Sequence, residues 1–359
     1  MAGAVADWAQ LPPEAFRPQE GLAGLLLARI NSLDGESRRV LDAAAVLGSD
    51  LDARVLRGMA ALSERATVRL LGSLEDQGLL RGRAFAHGYI REVVLDELPT
   101  SSTRHLHARA ARALKDSGAD ELLVAGHLEA AGDLEGAAEL WFSSANSRFA
   151  AQPGFEAEAG TLYQRVLDSG VRTDSYYRAA AYRSGQLLSA NEREQAEALI
   201  RAVLDESTDP VARTFALLQQ VVIHYLDGRL AAAEETASQA YRLVQEVESD
   251  ALHSDVQLMR SMLLSLRQQY GESLEISSSM VEQLRLKPPS FALGSWLARL
   301  AGDLSMLGRF EEALAVHHEQ LAVARQTRHR RQQAAAVNDI LATLDDLGRI
   351  GEGLELALE

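Results

Sequence analysis

The sequence predicts a mainly α-helical chain: a small head of helices with a short β-ribbon, then a solenoid of stacked helix pairs. Two observations carry the solenoid. The stretch Leu307-Gly308-Arg309-Phe310-Glu311-Glu312-Ala313-Leu314 reads as a helix end, a tight corner and the start of a second helix. Gly308 can take the left-handed conformation that closes the first helix. Phe310 plugs the corner, and Ala313 is small where two helices must touch. The pattern then recurs. Corner positions Gly132, Gly154, Asn191, Gly228, Gln268, Gly308 and Gly348 each stand five residues ahead of a small-residue position, at Ala137, Ala159, Ala196, Ala233, Ser273, Ala313 and Gly353. From Ala159 onward these lie 37, 37, 40, 40 and 40 residues apart by subtraction, and a fixed period sustained this long marks a repeat array. Asparagine best replaces glycine at a left-handed position, so Asn191 fits and Gln268 is the exception. The third observation belongs to the head: Leu79-Leu80-Arg81 and Ala84-Phe85-Ala86 read as two short strands about Gly82.

In order, residues 1–20 read as irregular, because Pro12, Pro13 and Pro18 break any helix. Gly21 to Ile30 is apolar enough for a short buried helix. Asp34 caps a helix from Gly35 to Leu47, with Val40, Leu41, Ala44, Ala45 and Leu47 as its apolar stripe. Leu51 to Ala60 forms a third helix. Ser63 caps a fourth, to Asp76, with Val68, Leu71 and Leu74 turned inward. A helix from Tyr89 follows the ribbon and stops at Pro99. Helices followed by a small β-ribbon are the signature of a winged-helix domain, here over residues 21–100. Residues 101–118 read as a linker helix and 119–359 as the repeats. Leu134 to about Ala151 is one helix shared by two repeats. Later pairs are 175–189 with 193–206, 210–226 with 230–248, 251–269 with 272–286, 290–307 with 310–326, and 330–347 with 351–359. Twelve residues ahead of the anchors stand Ser147, Ser184, Val221, Ser261, Ala301 and Leu341, mostly small, so that the two helices of a pair pack closely. No helix follows the last, so the array reads as truncated at its C-terminus. An array without a capping repeat exposes apolar surface, and Leu354, Leu356 and Leu358 are expected to form a self-associating end.

The repeat pattern resembles the tetratricopeptide repeat (TPR), at a period slightly longer than the usual ~34 residues. The head carries a more specific likeness. Phe85-Ala86-His87-Gly88-Tyr89-Ile90-Arg91-Glu92, with Leu27-Ala28-Arg29-Ile30, the run Arg38 to Gly48, Leu98-Pro99, Arg104-His105-Leu106-His107 and Gly126 to Asp133, resembles the bacterial STAND-type signalling ATPases, including the large LuxR-type and maltose-regulon-activator-type transcriptional regulators. There an ATPase module precedes a winged helix containing Phe-x-His-x-x-Ile/Val-Arg-Glu, and TPR-like repeats follow. The resemblance implies that His87 reaches the β-phosphate of ADP bound by the ATPase module, with ATP/ADP a cofactor of that module and none held by this chain. It further implies a solenoid that binds a protein, peptide or small inducer, and a winged helix that relays the bound state to an ATPase module absent from this chain, with transcription regulation as the output. Arg91 and Glu92, one turn on from His87, read as an intramodular ion pair. The sequence holds no G-x-x-x-x-G-K-[ST] phosphate loop and no terminal helix-turn-helix, so both ends look cut. The alternative reading is a stand-alone TPR adaptor for protein–protein contact.

Composition narrows the classes. The net charge of −15 falls almost wholly on residues 119–359, which argues against wholesale nucleic-acid binding. The helix from Glu64 to Asp76 carries no cluster of basic residues, so DNA contact by the head is not expected. With no cysteine, no long apolar run and 34 arginines against two lysines, the chain reads as a cytoplasmic protein of a GC-rich bacterium. None of the nine histidines forms H-E-x-x-H, and no nucleophile elbow occurs, so neither a metal site nor a catalytic site is expected. TPR register puts Val222, Tyr225, Leu258, Met262, Ser265 and Ser305 on the concave, partner-binding side of the first helices. Arg325, Arg328, His329, Arg330 and Arg331 form a basic corner that could dock an acidic partner.

Overall fold

The computed structural model describes residues 20–48, 51–150, 156–349 and 351–352. The chain divides into two compact units, 1–144 and 145–359. Among the described residues everything regular is helical except one two-stranded hairpin. No described helix is long and apolar enough to cross a membrane.

The first unit contains α1 (Glu20–Asn31), α2 (Gly35–Leu47), α3 (Ala53–Ala60), α4 (Glu64–Asp76), the hairpin β1 (Leu80–Arg81) and β2 (Ala84–Phe85), α5 (Gly88–Asp96), α6 (Thr100–Asp116), α7 (Glu121–Ala131) and α8 (Leu134–Ser144). Short polar side chains start the helices, since the first amides of a helix have no partner within it. Asp34 accepts from the Glu36 and Ser37 amides, Asp52 from Arg54 and Ser63 from Ala66. Gly82 turns the hairpin at φ +61°, pairing Leu80 with Phe85 and Arg81 with Ala84. One core joins Val40, Leu41, Leu56, Met59, Leu74, Leu79 and Val94 to Ala110, Leu114 and Val124, so α6 and α7 help close it. One inward assignment fails. Val68 is 63% exposed, and α4 buries Thr67, Leu70 and Leu74 in its place. Those three keep the i, i+3, i+7 spacing of a single helix face, and Val68 stands one step off it.

The second unit opens with π-helical turns at Ala145–Ala150, followed by α9 (Glu156–Asp168), α10 (Asp174–Ser189), α11 (Arg193–Glu206), α12 (Pro210–Leu226), α13 (Leu230–Val244), α14 (Asp250–Leu266), α15 (Tyr270–Arg285), α16 (Phe291–Met306), α17 (Phe310–Gln326) and α18 (Arg330–Asp346). These helices pack as successive pairs, forming an α-solenoid of repeats. The anchors Ala159, Ala196, Ala233, Ser273 and Ala313 are all 0% exposed, as are Ser184, Val221, Ser261 and Ala301 opposite them. Ser147 departs from the pattern and is exposed. The wider π turns shift the register there, and Ala145 is the small residue that becomes buried. The corners share one geometry. Asn191, Gly228, Gln268, Gly308 and Gly348 all have positive φ, between 62° and 75°. In each case the next residue's amide reaches the carbonyl five positions back, as Arg309 does to Leu304 at 2.9 Å and Gln269 to Leu264 at 3.0 Å. Gln268, the exception by residue type, is therefore none by conformation. The helix expected over 230–248 ends at Val244, because Glu246 and Val247 tighten onto carbonyls three back before Ser249 caps α14. Gly154, Gly353 and the expected sticky end at Leu354, Leu356 and Leu358 lie outside the described residues.

Candidate functional site

The first helix of each pair carries a stripe at i, i+4, i+7 and i+11. In α10 it is Arg178, Tyr182, Gly185 and Ser189; in α12, Phe215, Gln219, Val222 and Leu226; in α14, Asp255, Met259, Met262 and Leu266; in α16, Ser295, Arg299, Gly302 and Met306. Such spacing keeps all four on one side of a helix. Neighbouring stripes are joined. The Tyr182 ring lies 4.5 Å from Phe215 and stacks at 5.6 Å on Tyr163. Arg178 donates to both oxygens of Asp209 at 2.8 and 2.9 Å, while Asp209 caps α12 by accepting from Ala212 at 2.9 Å. Burial works against ionisation of Asp209, but the Arg178 hydrogen bonds and the Ala212 amide outweigh it and hold the carboxyl below its usual range. A Cβ at Gly185 would meet the Gln219 side-chain amide at 3.3 Å, a contact to which that side chain would have to give way slightly.

The C-terminal ends of the stripes stay open. Leu226, Leu266 and Met306 are 65%, 43% and 57% exposed and stand 40 residues apart by subtraction, one per repeat. Tyr225 and Met262 beside them are 43% and 42% exposed. Single exposed apolar residues need no explanation, whereas these three recur in repeat register. Asp255, at the other end of the α14 stripe, is open to water on one side and ringed by protein on the others. Desolvation pushes its carboxyl up to about 6, and it has no ion-pair partner among the described residues.

The expected groove residues therefore divide. Val222, Tyr225 and Met262 lie on or beside the open stripes, and Ser305 is half-buried next to Met306. Leu258 packs against the core formed by α15, α16 and α17. Ser265 is committed internally, to Ser273 at 3.0 Å and Asp303 at 2.9 Å. It belongs to a buried network that the sequence did not reveal. Asp303, 0% exposed, accepts from Ser265, from Ser273 at 2.8 Å, from Ser277 at 3.0 Å and from Arg299 at 2.6 Å. Serine stands at the anchor position of this repeat because its hydroxyl serves the carboxylate of the next.

In the first unit His87 is exposed and caps α5, its Nδ1 accepting from the Tyr89 amide at 3.2 Å. In the neutral ring the proton then sits on Nε2, which leaves a donor facing outward. Arg91 does not pair with Glu92. Its Nε donates to the Ala45 carbonyl at 2.8 Å, since the end of α2 needs a donor that Glu92 cannot supply. His107 and His127 meet across α6 and α7 with their Nδ1 atoms 2.9 Å apart, a pair that spacing alone could not reveal. At the α17–α18 corner Arg325, Arg328, Arg330 and Arg331 are exposed and form no ion pair among the described residues, while His329 caps α18 and lies 4.8 Å from Phe291. Among the described residues no group of three or more histidines and carboxylates is placed to hold a metal ion.

In fold the chain is similar to a STAND protein with a tetratricopeptide repeat sensor from Pyrococcus horikoshii, at a TM-score of 0.69 and 14% identity, over 94% of this chain and 52% of that one. The chain thus spans about half the length of that protein. A second solved structure, the IFIT1 N216A monomeric mutant with m7Gppp-AAAA, aligns at a TM-score of 0.28 and 10% identity over 88% of this chain and 78% of the other, too weak a likeness to carry an argument. No protein-family model and no curated protein matches the sequence.

Proposed function

We propose that this chain is the sensor and scaffold portion of a STAND-type signalling regulator of the bacterial cytoplasm. In this reading the repeats capture a protein or peptide segment along the first-helix stripes. The head acts as a winged helix that relays occupancy to an ATPase module, with transcription as the output. The observation that carries the reading is the row Leu226, Leu266 and Met306, exposed at one position per repeat. An evenly spaced apolar row suits a partner that repeats its own apolar side chains, as an amphipathic helix or extended segment does. The fold likeness to a STAND protein with a repeat sensor supports the same reading. His87 fits its expected part, because an outward Nε2–H can donate to a phosphate oxygen when an ADP-bearing module is present. The chain itself is proposed to hold no nucleotide and to catalyse nothing.

The test is site-specific photo-crosslinking from position 266 in cells, comparing the wild-type stripe with Leu226→Ser/Met306→Ser. A discrete adduct that the double variant loses supports the reading. Equal labelling in both, with the variant folded by circular dichroism, overturns it.

A further inference from the structure

The first unit holds a cavity of about 370 Å³ where α2, α3 and α6 meet. Arg39 reaches it from α2, and Ser101, Ser102, His105 and Arg109 from α6. An adjoining hollow shares His105 and Arg109 and adds Arg112. These cations are largely uncommitted. Among the described residues Arg109 and Arg112 form no ion pair, and Arg39 has only a 3.9 Å contact with Glu36, a carboxylate that Arg69 also approaches at 3.3 Å. The carboxylate in the cavity wall, Asp42, is taken by Arg38 at 2.7 Å. Asp116 borders the second hollow and makes no ion pair with Arg112 among the described residues.

The cavity also receives the start of a 17-residue helix. Pro99 precedes α6 and supplies no side-chain cap. The amides of Thr100, Ser101 and Ser102 find no acceptor among the described residues, whereas Thr103 bonds to the Pro99 carbonyl at 2.9 Å. Ser101 and Ser102, whose amides are free at the positive end of the helix, line one space together with Arg39 and Arg109. The remaining wall is apolar, from Met59, Leu98 and Leu106. The volume suits a small molecule, not a macromolecular segment.

We propose that this cavity binds a small phosphomonoester. The phosphate sits against the first amides of α6 and between Arg39 and Arg109, and the organic body rests on Leu98 and Leu106. A phosphate is favoured over a carboxylate because donors approach from two helices and a backbone terminus, which suits three terminal oxygens better than a planar pair. The site is separate from His87, which does not line it, and it does not depend on the function proposed above.

Titration of the full chain with glucose 6-phosphate and inorganic phosphate, against glucose and acetate, tests the site. Binding of both phosphates, with neither glucose nor acetate bound, is expected, together with shifts of the Thr100, Ser101 and Ser102 amide resonances in the wild-type protein. Arg39→Gln and Arg109→Gln should each weaken glucose 6-phosphate about tenfold or more. No binding at millimolar phosphate, amides that stay in place, acetate binding as tightly as phosphate, or undiminished affinity in both arginine variants would each overturn the proposal.

Discussion

A hydrogen bond between two imidazole Nδ1 atoms needs one of them to stay deprotonated, and His107 and His127 are placed to keep it so. Burial lowers both; the charge of Arg91 adds to it at His107, and His107 adds to it at His127, which falls to about 4. Because the folded pKa values lie below the unfolded ~6.5, the unfolded chain takes up more protons between those limits. Stability from the pair is therefore full above pH 6.5 and lost as the pH falls toward 4. Asp255 acts in the opposite sense: raised to about 6, it favours the folded state at low pH, a contribution lost as the pH rises through 6. The two effects separate by variant. The stability difference between wild type and His127→Gln should shrink on acidification by up to ~1.4 kcal/mol per pH unit, and parallel urea curves at pH 7 and pH 5 would refute it. Carboxyl NMR should place the Asp255 titration near 6. Gln268, held at φ +62°, gives a further residue-scale test. Gln268→Gly should relieve left-handed strain and raise stability by up to ~1 kcal/mol, the gain being reduced by glycine's freer unfolded chain.

Within single repeats, the polar links explain departures that the sequence left unexplained. The 37- and 40-residue period was legible because a corner and its anchor lie five residues apart, and local spacing survives without knowledge of tertiary contacts. The head's helices and ribbon were legible for the same reason, through Asp34, Ser63 and Gly82. The Asp303 network was not. Its members Ser265, Ser277 and Asp303 span three helices, and nothing in a linear reading marks one aspartate among many as 0% exposed. Nor could the sequence tell that Leu258 and Ser265 turn into the stack while Tyr225 and Met262 stay open, since all four fit the same register. Asp303→Ala would remove the carboxylate shared by three hydroxyls and the Arg299 guanidinium; the hydroxyls keep second acceptors at Ser273, Ser261 and Leu274, but Arg299 loses its buried counter-charge. Removing one partner from a buried charged network costs ~3–5 kcal/mol, and Ser273→Ala in that background should cost less than it does alone. Additive losses in the double-mutant cycle would show that the network is not coupled. Asp209→Ala should cost somewhat less, ~2–3 kcal/mol, because its partner Arg178 is 36% exposed.

For the molecule as a whole, two compact units with separate cores predict that unfolding is not a single event. Nature has supplied a reporter for each: Trp141 is 2% exposed in the first unit, and Trp296 is 1% exposed in the second, where its Nε1 donates to Ser254 at 2.7 Å. With Trp8 changed to Phe throughout, Trp296→Phe leaves fluorescence from the first unit, and Trp141→Phe leaves it from the second. Repeat arrays gain stability mainly from neighbours, so damage in one repeat spreads to those beside it before it reaches an independent core. Asp303→Ala should therefore move the urea midpoint seen by Trp296 to lower concentration while leaving that seen by Trp141 in place. If both midpoints moved together, the units would share one cooperative transition, and independent unfolding of residues 1–144 and 145–359 would be ruled out.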